Sequence, residues 1–142
     1  MSTNVLKAAA GMTLGIALLA PASCRAAGTL EVSAERAAEM IRANRGDPDF
    51  VVLDVRTPAE FAAGHIEGAL NIDYRASDFA ERIAALDRSK TYLMYCRTGN
   101  RSGRALPLFD RLGFEAVVHM SDGITAWQRH GLPVTQQAGR VP

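Results

Sequence analysis

The stretch Tyr92-Leu93-Met94-Tyr95-Cys96-Arg97-Thr98-Gly99-Asn100-Arg101-Ser102-Gly103-Arg104 sets one thiol at the end of an apolar run, then a small polar loop carrying three arginines. A thiol attacks as its anion, and fixed positive charge and the open N–H groups of a helix start both favour that anion. A helix is expected to begin near Ser102, and Gly99 and Asn100 tolerate the left-handed backbone that curls a short loop's N–H groups inward. Cys96 is therefore the candidate nucleophile, with Arg97, Thr98, Gly99, Asn100, Arg101 and Ser102 as its cradle. The competing reading is a small buried hydrophobe that closes a strand. The arginines clustered around a single thiol weigh against it.

Such a loop must be positioned by a sheet. Apolar, β-branched runs at 29–32, 50–55, 69–72, 91–95 and 116–119 alternate with helical patterns, which predicts an α/β domain with a mainly parallel sheet. In such sheets ligands bind beyond the carboxyl ends of the strands, where Cys96 sits. Ala34, Ala37 and Ile41 follow a plausible Ser33 cap, and Phe79, Ile83 and Leu86 follow Ser77. Thr57-Pro58-Ala59-Glu60 carries a capping box and a proline at the first helical position, starting a short helix that ends by Gly64. Leu106, Phe109 and Leu112 form the face of a helix stopped by Gly113, with a kink expected at Pro107. A last helix from about Ile124 to His130 holds Trp127 as a core anchor. The tail after Val134 is expected to fray.

The chain has 142 residues, 48% hydrophobic and 22% charged, with a formal charge of +1. This is the composition of one globular domain, and it argues for neither nucleic acid nor an anionic membrane as a partner. The first acidic residue is Glu31. Residues 1–27 read as a secretory signal: Lys7, an apolar run from Ala8 to Ala20, then Pro21, Ala22 and Ser23. The expected destination is a bacterial periplasm or the exterior, with no membrane contact once the segment is removed. Two alternatives stay open: a lipoprotein anchored through Cys24, which Pro21 disfavours, and an apolar helix kept as an anchor or as part of the fold. Removal takes away Lys7 and Arg25 and no acidic residue, so the remaining 28–142 domain, with its core at about 29–134, has a net charge of −1. It keeps one cysteine, Cys96, which has no partner for an internal disulfide. His65, His119, His130 and Cys96 lack the close spacings of a structural zinc site, so no metal and no cofactor are expected.

Three stretches together resemble the rhodanese-like sulfurtransferases, in particular the small single-domain secreted kind. They are Val52-Leu53-Asp54-Val55-Arg56-Thr57-Pro58-Ala59-Glu60-Phe61 with Gly64-His65-Ile66-Glu67-Gly68-Ala69 and Asn71-Ile72; then Tyr95 through Ser102; then Asp122-Gly123-Ile124-Thr125-Ala126-Trp127 with Gly131-Leu132-Pro133-Val134. The resemblance implies a three-layer domain, a five-stranded mainly parallel sheet flanked by helices. It also implies a persulfide mechanism: the Cys96 thiolate takes a sulfur from a small anionic donor such as thiosulfate and passes it to a thiophilic acceptor such as cyanide or a thiol. The N–H groups from Arg97 to Ser102 would hold the persulfide, Arg97 and Arg101 would attract the donor, and Asp54 and Arg56 would support the loop. His65 matches a structural position. A protein partner is not named by the sequence. Two departures stand out, Ser121-Asp122-Gly123 where the family commonly has two glycines, and Pro107 in the helix after the loop. The first leaves acceptor specificity open. The alternatives are a sulfur carrier or partner-binding module without turnover, and a phosphatase or arsenate reductase. The cell-cycle phosphatases that share the fold place five residues between nucleophile and arginine, whereas four separate Cys96 from Arg101.

Overall fold

The computed structural model describes residues 28–140. The proposed export segment, including Cys24, lies outside the described residues. In chain order the elements are β1 (Gly28–Val32), α1 (Ala34–Ala43), β2 (Phe50–Asp54), α2 (Pro58–Ala63), β3 (Leu70–Asn71), α3 (Phe79–Ala84), β4 (Thr91–Tyr95), α4 (Asn100–Leu112), β5 (Ala116–Met120) and α5 (Gly123–Arg129). The strands form one five-stranded sheet in the order β1-β5-β4-β2-β3. Every pair is parallel.

Successive strand residues point to opposite faces, so the buried strands fill two cores. Val52, Leu93, Tyr95, Val118 and Met120 pack with Ala34, Ala37, Ala38 and Trp127 on the side of α1 and α5. Val51, Leu53, Tyr92, Met94, Cys96 and Val117 pack with Phe79, Ile83, Ala105 and Phe109 on the side of α3 and α4. The three-layer α/β architecture expected from the resemblance is the one observed. Trp127 is buried, and its indole N–H donates to the Pro133 carbonyl at 2.9 Å.

Several boundaries differ from the sequence expectation. The strand expected at 69–72 has only two paired residues, because β2 ends at Asp54 and Gly68, at φ 74°, turns the chain in just before it. α3 starts after Asp78, without a side-chain cap, rather than from Ser77. Pro107 lies inside α4, as its place in the helical pattern predicts, and α4 runs for 13 residues. The tail does not fray at Val134: Thr135 exchanges two backbone hydrogen bonds with His65, at 2.9 and 2.8 Å, and the Arg140 N–H donates to the Ala69 carbonyl at 2.9 Å. An extended segment that satisfies its backbone groups on the domain is held down.

Candidate active site

β4 delivers Cys96 to the carboxyl edge of the sheet, and the chain must then turn sharply into α4. Gly99 makes that turn at φ 89° as the residue preceding α4. Its α-carbon lies against the Ser121 carbonyl, where a side chain would have no room. α4 therefore begins at Asn100, two residues before the expected Ser102, so the open N–H groups of its first turn lie in the loop itself. The N–H groups of Ile124 and Thr125 in α5 donate to the carbonyls of Cys96 and Arg97, both at 3.0 Å. The loop's carbonyls are thereby turned toward α5 and its N–H groups toward the sulfur.

The Cys96 sulfur accepts the Gly99 N–H at 3.1 Å and the Ser102 hydroxyl at 3.4 Å. Cys96 is 1% exposed. Burial pushes its thiol up, but the Ser102 hydroxyl and the backbone N–H groups of Ser102, Thr98 and Gly99 more than offset this and bring it below the usual thiol value. Above the sulfur opens a cavity of about 370 Å³ lined by Glu60, Arg75, Cys96, Arg97, Thr98, Asn100 and Arg101. Arg97 and Arg75 are exposed at this opening, whereas Arg104 is exposed elsewhere on α4 and does not line it.

Glu60 was legible in the sequence only as a helix cap. It does cap: Thr57 Oγ1 accepts the Glu60 N–H at 3.3 Å, and the Glu60 carboxylate accepts the Thr57 N–H at 3.0 Å. The same carboxylate also takes both terminal nitrogens of Arg101, each at 2.7 Å. Arg101, which was expected with Arg97 to attract the donor and which does line the cavity, is paired with Glu60 and so ties the α2 start to the active loop. The hydrogen bond from Arg101 is the main reason that the Glu60 carboxyl falls to about 2, with burial opposing it and Thr57 assisting. The stability this pair contributes is present above the ordinary carboxyl value of 4.5 and is lost as pH falls toward about 2. Glu60→Gln is expected to lower Tm by a few degrees at neutral pH and to converge with the parent protein near pH 2; a deficit of equal size at both pH values refutes the pairing as its cause.

Asp54 and Arg56 form a buried pair, 0% and 7% exposed at their side chains. Asp54 accepts the backbone N–H of Arg56 at 2.8 Å and the guanidinium N–H at 2.7 Å, and Arg56 also donates to the Gly64 carbonyl at 2.8 Å. The guanidinium lies 5.7 Å from the centre of the Tyr95 ring, and the Val55 N–H donates to the Tyr95 carbonyl at 3.0 Å. The pair thus braces the residue that precedes Cys96, without touching the sulfur. His65 is buried, stacks on Phe61 at 3.6 Å, and its Nδ1 lies 2.8 Å from the Phe61 carbonyl. It acts as a brace, away from the cavity.

Asp122, the departure from the double glycine, takes an ordinary backbone conformation at φ −92°, and Gly123 holds the positive φ of 69° that glycine favours. The Asp122 carboxylate accepts the Ala34 N–H at 3.1 Å and so caps α1. It does not line the Cys96 cavity.

Sequence reasoning missed Arg75, which carries no local signal, and His119, whose Nε2 lies 2.8 Å from the Ser102 oxygen. A polar residue at a core-facing position of an apolar strand was the available clue to His119. Among the described residues no group of three or more His, Cys, Asp or Glu could hold a metal ion, and no helix is long and apolar enough to cross a membrane.

The model of the rhodanese-like domain matches residues 33–130. The chain belongs to the rhodanese-like family. Its rhodanese-like domain is 35% identical over 91 residues to "Sulfurtransferase" of Allochromatium vinosum, covering 64% of this chain and 83% of that one. It is also 35% identical over 91 residues to "Thiosulfate sulfurtransferase 16, chloroplastic" of Arabidopsis thaliana, covering 57% of this chain and 76% of that one. Against some longer curated relatives the match spans as little as 21% of their length. The rhodanese-related protein of Thermoplasma volcanium superposes with a TM-score of 0.63 at 33% identity, covering 76% of this chain and 99% of that one.

Proposed function

We propose that the protein is a sulfurtransferase that moves a sulfane sulfur from thiosulfate or a similar small anion to cyanide or a thiol through a Cys96 persulfide. The observation that carries this reading is the convergence of the Gly99 N–H and the Ser102 hydroxyl on a buried sulfur at the floor of a basic cavity. The Cys96 thiolate attacks the outer sulfur of the donor, the sulfur–sulfur bond of the donor breaks, and sulfite leaves with the bonding pair. The donors that hold the thiolate then hold the terminal persulfide anion, which is electrostatic stabilisation by groups already in place. Attack by the acceptor on that terminal sulfur returns the thiolate. Arg97 and Arg75 supply the unpaired charge that draws an anion in, while Arg101, held by Glu60, keeps the loop in shape.

The Glu60 clamp argues against a phosphatase, since the guanidinium that would bracket a phosphate is already satisfied by a carboxylate. Segment 1–27 supports export to the periplasm or exterior, and N-terminal sequencing of the protein isolated from its host tests it. The test of function is intact mass after incubation with thiosulfate. The expected result is the gain of one sulfur atom, removed by cyanide or a thiol reductant; no gain refutes the reading. Arg97→Ala is expected to raise the KM for thiosulfate several-fold with a small change in kcat, because it acts on an anion at the mouth. An unchanged KM places the donor elsewhere.

A further inference from the structure

Two buried polar side chains lie behind the sulfur, on the side away from the cavity. His119 sits in β5, in register with Glu31 of the edge strand β1 and Met94 of β4. It is 3% exposed. Strand alternation sends it to the same side of the sheet as α4, where its Nε2 meets the Ser102 oxygen at 2.8 Å, and that oxygen meets the Cys96 sulfur at 3.4 Å. On its other side Nδ1 lies 3.5 Å from the carboxylate of Glu31, whose side chain is 68% exposed. A polar path therefore runs from the sulfur through Ser102 to His119, whose buried Nδ1 makes no hydrogen bond but faces the exposed Glu31 carboxylate at ion-pair distance, separate from the cavity mouth.

A hydroxyl has one proton to give. When Ser102 gives it to the thiolate, its oxygen can only accept from His119, so Nε2 must carry a hydrogen. Starting from the thiol, the Cys96 proton passes to the Ser102 oxygen while the hydroxyl proton passes to Nε2. The products are a thiolate and an imidazolium with the hydroxyl between them, and no electron is gained or lost. We propose that His119 is a positioning residue for the Cys96 sulfur: it aims the Ser102 hydroxyl at the thiolate and takes up the thiol proton through it, with Glu31 at the solvent end. Among the described residues, these groups face the two ends. Glu31 faces His119 from β1, Ser102 faces it from α4 and the neutral Met94 flanks it in β4. At the sulfur, Arg97 and Arg75 line the cavity, Arg101 is paired with Glu60, and Asp54 is paired with Arg56.

The inference rests on the reading of Cys96 as a working thiolate. Its test uses no sulfur donor, so its failure and the failure of sulfur transfer are distinguishable. The rate of alkylation by iodoacetamide is followed against pH in the full chain and read at Cys96 by peptide mass. His119→Leu is expected to move the midpoint up by about one pH unit, which slows alkylation about tenfold below the midpoint. His119→Gln, which keeps an N–H for Ser102 but takes up no proton, is expected to recover part of the rate. In a Ser102→Ala background His119→Leu is expected to add nothing, because the bridge is gone. His130→Gln, at an exposed histidine paired with Glu35, is expected to match the parent protein. An unmoved midpoint in His119→Leu, or the same shift with and without Ser102, overturns the proposal. Should the leucine variant not fold, His119→Gln decides: its alkylation midpoint is expected to lie above that of the parent protein, and a midpoint equal to the parent's overturns the proposal.

Discussion

Cys96→Ser is expected to abolish the gain of sulfur from thiosulfate, leaving no turnover above the uncatalysed rate, while the protein unfolds close to the parent temperature. Serine nearly matches the thiol in shape and can still accept the Gly99 N–H, so the loop keeps its turn. What it lacks is an accessible anion, since loop donors that bring a thiol below its usual value fall far short of ionising an alcohol at neutral pH, and a hydroxyl oxygen cannot carry a sulfane sulfur through the cycle. Intact mass after thiosulfate treatment and the melting temperature are read together. A mass gain at the cavity in the serine variant would place the nucleophile elsewhere.

Asp54→Ala is expected to cause the largest loss of stability of any single change near the site. The carboxylate is fully buried and holds both the backbone N–H and the guanidinium of Arg56. Its removal leaves a buried cation without its counter-charge, beside the Gly64 carbonyl and Tyr95, a situation that costs about 3–5 kcal/mol. For a domain of this size that lowers Tm by more than about 10 °C. Because Arg56 also lies over Tyr95, the residue before Cys96, the folded fraction should alkylate Cys96 with an altered pH profile. A fall in Tm of less than about 2 °C would mean that the pair is solvated and contributes little.

Both effects trace to the sequence, though unequally. The strand run into Cys96, the glycine at the turn and the flanking arginines form a local pattern, and local patterns survive folding because the backbone that realises them spans only a few residues. The capping box at Thr57 and Glu60 formed as its spacing predicts for the same reason. The start of α4 shifted by two residues because Gly99 terminates the loop through packing on Ser121, a contact between segments distant in the chain. The partner of Arg101 was missed for a similar reason. The charge of Arg101 was legible, but the partner lies 41 residues away across the site.

The sequence by itself determined the candidate nucleophile and the layered α/β architecture, and its family resemblance pointed to the supporting pair at Asp54 and Arg56. Residue type, strand and helix period and motif order are properties of the chain that no tertiary contact has to supply. Only the tertiary structure decided which charges remain free to meet an anion, why Asp122 needs no glycine, and that His119 stands behind the sulfur through Ser102. The physical reason is distance along the chain. Parallel strands bring together segments separated by a crossover, and a hydrogen bond or ion pair depends on ångström placement that composition and spacing do not encode.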